Sequence, residues 1–364
     1  MQPYAIYVPP GPAPPGGWPL TLLLHSLASN YNQFLSNRNQ SQFGRRGRGS
    51  IVITPAGRGP DGWYWDWAGA DTFEVWADVA RHFRLDPDRT AITGYSMGGY
   101  ATWKLASQYP DLFAAAQPTV GPTVLGTEYL GVTPPDAGEG TNTIHQLASL
   151  RHVPFLIWVA GGDEIVPAAG TLPNADELDR LGYRYEYDVF APAEHLTLAI
   201  NDEFGPAARW LGDRKVVRDP SRVTYAYDPE MDLPGDGSAG GHAYWLSALR
   251  LRQASGAPPI GTVDARSSGF GRGEPAATPA GPTSGMLPPG NLGVLAYAGR
   301  ARSWSQPARR TPADRLEISA TNVASVTVDM RRARLTCAAA IDVHSDGPID
   351  VVLAGCDRTV RGSA

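Results

Sequence analysis

Ser96 stands in Gly94-Tyr95-Ser96-Met97-Gly98-Gly99, directly after an apolar run at 90–94 and before a helical pattern at 98–109. A G-x-S-x-G sequence between strand and helix is a nucleophile elbow, a sharp turn that lifts the serine hydroxyl above the sheet. Its glycines answer a steric demand, because the turn brings neighbouring backbone too close for a Cβ. A serine hydroxyl attacks a carbonyl only when a base takes its proton, so a histidine must lie within reach. His195, in Ala193-Glu194-His195, follows the run at 183–190. Asp163, in Gly161-Gly162-Asp163-Glu164-Ile165-Val166-Pro167, follows the run at 153–160, and would fix the imidazole tautomer and stabilise the imidazolium. Glu164 and Asp188 are the alternative acids. His82, His145, His152, His242 and His344 read as structural or surface residues.

Acyl transfer also needs two N–H groups aimed at the developing alkoxide. The backbone of Met97, next after the nucleophile, supplies one. The loop after Leu22-Leu23-Leu24-His25-Ser26-Leu27 should supply the other, assigned to Leu27 over Ser26, with His25 bracing the loop. Gly62-Trp63-Tyr64-Trp65-Asp66-Trp67 packs three tryptophans into five residues. It follows the strand pattern at 51–55, so Trp63 and Trp65, with Tyr95, are candidates for a substrate platform. The competing reading is a packed aromatic cluster.

These residues can converge only if the elements before them are parallel strands. Apolar runs at 20–25, 51–55, 90–94, 113–118, 153–160 and 183–190 alternate with helical patterns at 71–83, 98–109, 174–181 and 195–211. That rhythm predicts a mostly parallel sheet with helices on both faces, and puts Ser96, Asp163 and His195 at the C-terminal strand ends. The Gly/Pro/Thr-rich stretch 121–143 interrupts the rhythm and is a candidate lid. From about residue 216 helical periodicity gives way to short β-type runs at 223–227, 243–251, 292–297, 316–320, 323–330, 334–343 and 349–353. The expected organisation is therefore an α/β catalytic domain at 1–215 and a smaller all-β, sandwich-like domain at 216–364, with 266–291 as a long surface loop.

A formal net charge of −5, from 31 basic and 36 acidic residues, points to neither nucleic acid nor an anionic membrane as partner. No apolar run is long enough to span a membrane. The basic cluster Arg45, Arg46 and Arg48 reads as a solvated loop, and Asp228, Glu230, Asp232 and Asp236 as solvated acids rather than a calcium site. No metal or cofactor is expected. The cysteines are Cys337 and Cys356. A tight turn centred on Asp346-Gly347 would pair them across a hairpin, with Ile341 opposite Val352, within disulfide reach; two buried thiols are the alternative. A disulfide implies an oxidising compartment, hence secretion. The run at 3–9 reads as a strand directly after Met1, as expected if a leader had been trimmed.

Pro110-Asp111-Leu112-Phe113-Ala114-Ala115-Ala116 after the elbow, Gly62-Trp63-Tyr64 with Asp71, and the Asp163…Val166-Pro167 turn resemble extracellular serine esterases of the feruloyl-esterase and polyhydroxyalkanoate-depolymerase type. The same segments are similar to the prolyl-oligopeptidase catalytic domain. The resemblance covers about residues 4–212, and the C-terminal part more weakly resembles the tail of secreted actinobacterial hydrolases. It implies an α/β-hydrolase fold and a monomeric, secreted carboxylester hydrolase of aromatic or polymeric esters, with a serine peptidase as the alternative. Ser26 departs from the family's His-Gly pattern in the oxyanion loop.

Overall fold

Residues 2–235, 240–254 and 258–363 are described by a computed structural model. The apolar runs of the first half become strands β1 (Tyr4–Tyr7), β2 (Trp18–Leu24) and β3 (Ile51–Pro55), with the short helix α1 (Asn39–Gly44) before β3. Then come α2 (Asp66–His82), β4 (Leu85–Tyr95), α3 (Met97–Gln108) and β5 (Ala115–Thr119). This half ends with β6 (Phe155–Ala160), α4 (Ala168–Arg180), β7 (Tyr185–Phe190), α5 (Thr197–Asn201) and α6 (Gly205–Leu211). The strands β3, β2, β4, β5, β6 and β7 lie side by side and parallel, and β1 closes one edge antiparallel to β3. Every residue of β2, β3, β5 and β6 is buried. Helices cover both faces of such a sheet, so its strands are apolar throughout rather than alternating.

The second half contributes β8 (Arg222–Tyr227), β9 (Leu246–Leu251), β10 (Gly261–Ser267), β11 (Gly281–Leu287) and β12 (Leu295–Arg302). After these come β13 (Arg315–Thr321), β14 (Val323–Asp329), β15 (Ala340–Ser345), β16 (Ile349–Ala354) and β17 (Arg358–Gly362). Among the described residues, two four-stranded sheets, β15-β13-β10-β8 and β17-β16-β14-β9, enclose a core that includes Tyr225, Val263, Ile318, Val326 and Val351. Alternation is visible here: β16 buries Ile349, Val351 and Leu353 and exposes the residues between. The protein is thus an α/β-hydrolase fold with a β-rich C-terminal part forming separate sheets.

Several expectations are corrected. The division at 215/216 fails for the β11–β12 hairpin, which leaves the sandwich and joins the first sheet, β12 pairing antiparallel with β7 to give nine strands in all. The stretch 266–291 is therefore not simply a surface loop. Strand β11 escaped notice because backbone pairing with β12 holds it at the sheet edge, and Leu287 is its one buried side chain. Strands β10 and β17 were also unforeseen. The single helix expected at 195–211 is two, separated at Asp202, whose φ of 51° ends α5. Arg46 is buried rather than solvated: its guanidinium donates to the carbonyls of Leu20 (3.1 Å), Arg89 (2.9 Å) and Gly212 (2.9 Å).

Cys337 and Cys356 are joined in a disulfide, Cα–Cα 5.4 Å, yet the hairpin argument that paired them is wrong. Strands β15 and β16 belong to opposite sheets, each parallel to a different neighbour, β13 and β14. The segment between them crosses the sandwich, anchored where Asp346 accepts from Arg252 (2.7 Å) and from the N–H of Asn322 (3.0 Å). The halves are joined where Tyr225 donates to the Gln108 carbonyl (3.1 Å) and Tyr244 to that of Pro110 (3.1 Å).

Candidate active site

Ser96 sits between β4 and α3 with φ 54° and ψ −114°, a conformation an L residue holds only under constraint. The constraint is crowding: a Cβ on Gly94 would overlap the Gly98 carbonyl, and one on Gly98 the Leu24 carbonyl. The Ser96 N–H is tied to the Thr119 carbonyl on β5 (2.9 Å), which leaves the hydroxyl free to point out of the sheet.

That hydroxyl lies 2.9 Å from His195 Nε2. His195 Nδ1 lies 2.9 and 2.8 Å from the two oxygens of Asp163. Asp163 is held in turn by the N–H groups of Ile165 (2.9 Å) and Val166 (2.7 Å) in the turn after β6. Both side chains are almost wholly removed from solvent. The His195 main chain is pinned on two sides: its N–H donates to Glu164 (3.1 Å), and its carbonyl accepts from Tyr95 Oη (2.5 Å). Glu164 thus bonds the histidine backbone, not the ring. Asp188 sits within β7, where it accepts from Thr283 Oγ1 (3.1 Å); burial, then the neighbouring Glu186, pushes its carboxyl up to about 7.

The loop after β2 is braced with equal care. The His25 N–H donates to Tyr64 Oη (2.9 Å), and its ring nitrogens lie 2.9 Å from the carbonyls of Ser26 and Ala56. Ser26, standing where the resemblance expects glycine, donates its hydroxyl to the Tyr95 carbonyl (3.2 Å), accepts from Gln33 Nε2 (2.9 Å) and gives its N–H to Gln33 Oε1 (2.7 Å). The Ser26 N–H is therefore spoken for. Among the described residues, no protein acceptor takes the N–H of Leu27 or of Met97.

A cavity of about 390 Å³ opens at Ser96, walled by Leu27, Trp63, Tyr129, Leu130, Ile165 and Leu196. Trp63 is 1% exposed, its ring 4.8 Å from Tyr129 and 6.1 Å from Tyr100, so it is at once wall and packed core. Trp65 is not a wall residue: it packs inward with Lys104 Nζ 4.8 Å from its ring centre, a correction to the two-tryptophan platform. Tyr95 reaches the cavity, but its hydroxyl is committed to His195 and the Ala199 N–H (3.2 Å). Tyr129, Leu130, Ile165 and Leu196 were missed as individual residues. Their signal was an apolar side chain in the loop beside each catalytic candidate, and in the stretch 121–143. Of the acids weighed for calcium, Asp228 caps a short turn through the Glu230 N–H (3.0 Å) and Asp232 accepts from Tyr227 (2.6 Å). Asp236 lies outside the described residues.

Residues 38–213 match the prolyl oligopeptidase family, Peptidase S9. Over 125 residues the chain is 31% identical to the bifunctional acetylxylan esterase/xylanase XynS20E of Neocallimastix patriciarum, which covers 33% of this chain and 18% of that protein. Over 132 residues it is 33% identical to dipeptidyl aminopeptidase BIII of Pseudoxanthomonas mexicana, covering 32% and 18%. The chain therefore spans less than a fifth of the length of these curated relatives. A solved thermostable esterase is similar with a TM-score of 0.47 and 21% identity, over 58% of each chain. The family match overlies α3, β6, β7 and the turns that carry Ser96, Asp163 and His195, so the matched segment of this α/β-hydrolase fold is the one that holds a serine-hydrolase triad.

Proposed function

We propose that the protein is a secreted carboxylester hydrolase working through an acyl-enzyme on Ser96. The observation that carries this reading is the unbroken chain Asp163–His195–Ser96, all three at strand ends and opening into an apolar cavity. Ser96 Oγ attacks the ester carbonyl carbon as its proton passes to His195 Nε2. The Met97 and Leu27 N–H groups receive the oxyanion, and Asp163 stabilises the imidazolium without taking its proton. Collapse of the tetrahedral intermediate expels the alcohol, protonated by His195. Water then adds to the acyl carbonyl, giving its proton to His195, and the acid leaves as Ser96 recovers its own.

The walls favour a neutral, bulky ester. Tyr129 offers a half-buried ring packed on Trp63, and Leu130 and Leu196, 69% and 56% exposed, add apolar area that Ile200, 53% exposed and one turn on from Leu196, extends. Such a surface suits aromatic or polymeric esters, because apolar area is what it has to offer. The disulfide supports an oxidising, extracellular setting. A peptidase is the second reading, favoured by the family matched at 38–213. Against it, Glu164 is the sole carboxylate among the cavity's lining residues and already accepts the His195 N–H, so it is poorly placed to recognise a peptide amino group. Purified protein assayed on nitrophenyl esters, a feruloyl ester, a polyester film and a prolyl anilide decides the matter, with Ser96→Ala as control. Ester turnover should dominate; faster cleavage of the anilide would transfer the protein to the peptidases.

A further inference from the structure

The hairpin β11–β12 does more than widen the sheet. Its tip reaches α5, the five-residue helix that begins two residues after His195. A helix this short is not stable alone, and its terminal carbonyls need partners from outside. They find them on the hairpin. The buried Asn201, last residue of α5, accepts through Oδ1 from the N–H groups of Gly290 (3.1 Å) and Leu292 (3.0 Å). Its main-chain carbonyl accepts from the Asn291 N–H (2.8 Å) and from Arg38 (3.0 Å). Contact is so close that a Cβ on Gly290 would overlap the Asn201 carbonyl. At its other end the helix is held by Tyr95, whose hydroxyl takes the Ala199 N–H and donates to the His195 carbonyl. The segment carrying His195 is thus gripped between the nucleophile strand at one end and the hairpin tip at the other.

We infer that the β11–β12 hairpin positions the catalytic base: by fixing Asn201 it keeps His195 on the line from Asp163 to Ser96. The inference rests on the reading of His195 as that base. It assigns the C-terminal part of the chain a share in catalysis, exerted through Asn201, Gly290 and the α5 backbone rather than by contact with substrate. Asn201 and Gly290 are positioning residues.

The test compares Gly290→Ala, Asn201→Leu and His195→Ala with Gly293→Ala, a control in the same loop whose added Cβ meets nothing within 4 Å. Each variant is assayed on nitrophenyl acetate, checked for folding by circular dichroism, and examined by proton NMR for the low-field signal of the His195 Nδ1–H bound to Asp163. Gly290→Ala and Asn201→Leu should lower kcat by about 10²-fold with KM within about twofold, as expected when a reacting group is misplaced, and should weaken the low-field signal. Gly293→Ala should change neither. Asn201→Leu adds no atom to the tip, so it carries the test if Gly290→Ala does not fold. A folded Asn201→Leu protein with wild-type kcat and an intact low-field signal overturns the hairpin's role while leaving His195 as base. An active His195→Ala protein overturns both.

Discussion

The two halves of this chain solve the problem of a strand differently. In the parallel sheet, strands such as β2 and β6 are buried along their whole length, and the chemistry is pushed to their ends, where the backbone is forced into unusual shapes. Trp63, Tyr64, Ser96, Leu130 and Asp202 all hold positive φ, and each lines the cavity, braces the loop beside it or ends the helix after His195. In the sandwich, β10 and β16 simply alternate between core and solvent, and a disulfide adds a covalent tie. Local strain persists only where its surroundings over-determine it. The buried sheet supplies that rigidity to the active site, whereas the left-handed residues of the second half, Tyr244, Ala248, Asn322 and Arg334, lie outside the cavity lining.

The contrast can be broken most directly at Ser96. Ser96→Ala should cut ester turnover by on the order of 10⁵-fold or more, with His195→Ala close behind and Asp163→Asn less severe, while melting temperature stays near wild type. A Ser96→Ala protein keeping a tenth of its turnover sinks the assignment. The mirror-image result is expected in the sandwich. Replacing Cys337 and Cys356 together by Ser opens a loop with a sequence separation of 19 and should cost on the order of 3 kcal/mol, read as a lower urea midpoint, with kcat unchanged at temperatures where the protein is folded. Equal loss of activity and stability in the cysteine variant would erase the distinction between the halves.

Trp63 lies where packing and binding overlap, and Trp63→Ala should show both effects. A fully buried tryptophan costs ~3–5 kcal/mol on truncation. If its ring also receives substrate, the ratio of kcat/KM for a feruloyl ester over an acetyl ester should fall about tenfold, which corresponds to ~1.4 kcal/mol. An unchanged ratio assigns Trp63 to packing alone.

Stability should also depend on pH through two buried groups, one in each direction. Burial holds the Lys104 ammonium down to about 7, although nearby carboxylates pull the other way. Between about 7 and its ordinary value of 10.5 the unfolded chain carries a proton that the folded one lacks, so stability rises with pH across that window. Lys104→Met should flatten the rise. Asp188, raised to about 7, has the opposite sign: the folded state keeps a proton that the unfolded chain has released, so stability falls as pH climbs from about 4 to about 7. Asp188→Asn should remove that fall. Melting curves against pH for the two variants separate the contributions.

Much of this was legible beforehand because parallel strands buried on both faces leave unmistakable apolar runs, and because an elbow needs its glycines. The order Ser96, Asp163, His195 followed from which runs end where. What escaped was held by backbone rather than by side chains. Strand β11, Gly281–Leu287, reads Gly-Pro-Thr-Ser-Gly-Met-Leu, with little to bury, and its place is set by pairing with β12. The break after α5 depends on one residue, Asp202, adopting a left-handed conformation. The Cys337–Cys356 pair was foreseen through a hairpin that does not exist. Proximity in the fold came from two strands on opposite sheets whose outer ends converge, a relation no local register expresses.

The borrowed hairpin also sets the order in which the chain can be completed. Strand β7 ends at Phe190, but its partner β12 begins only at Leu295, so on the ribosome roughly a hundred residues separate them, or ~5–20 s of synthesis. During that interval the edge of β7 shows unpaired N–H and C=O groups beside Tyr185, Tyr187 and Phe190, side chains that the finished protein buries. A nascent chain that has already made Ser96, Asp163 and His195 therefore still carries an adhesive edge. Its vulnerability to aggregation ends only when the hairpin docks.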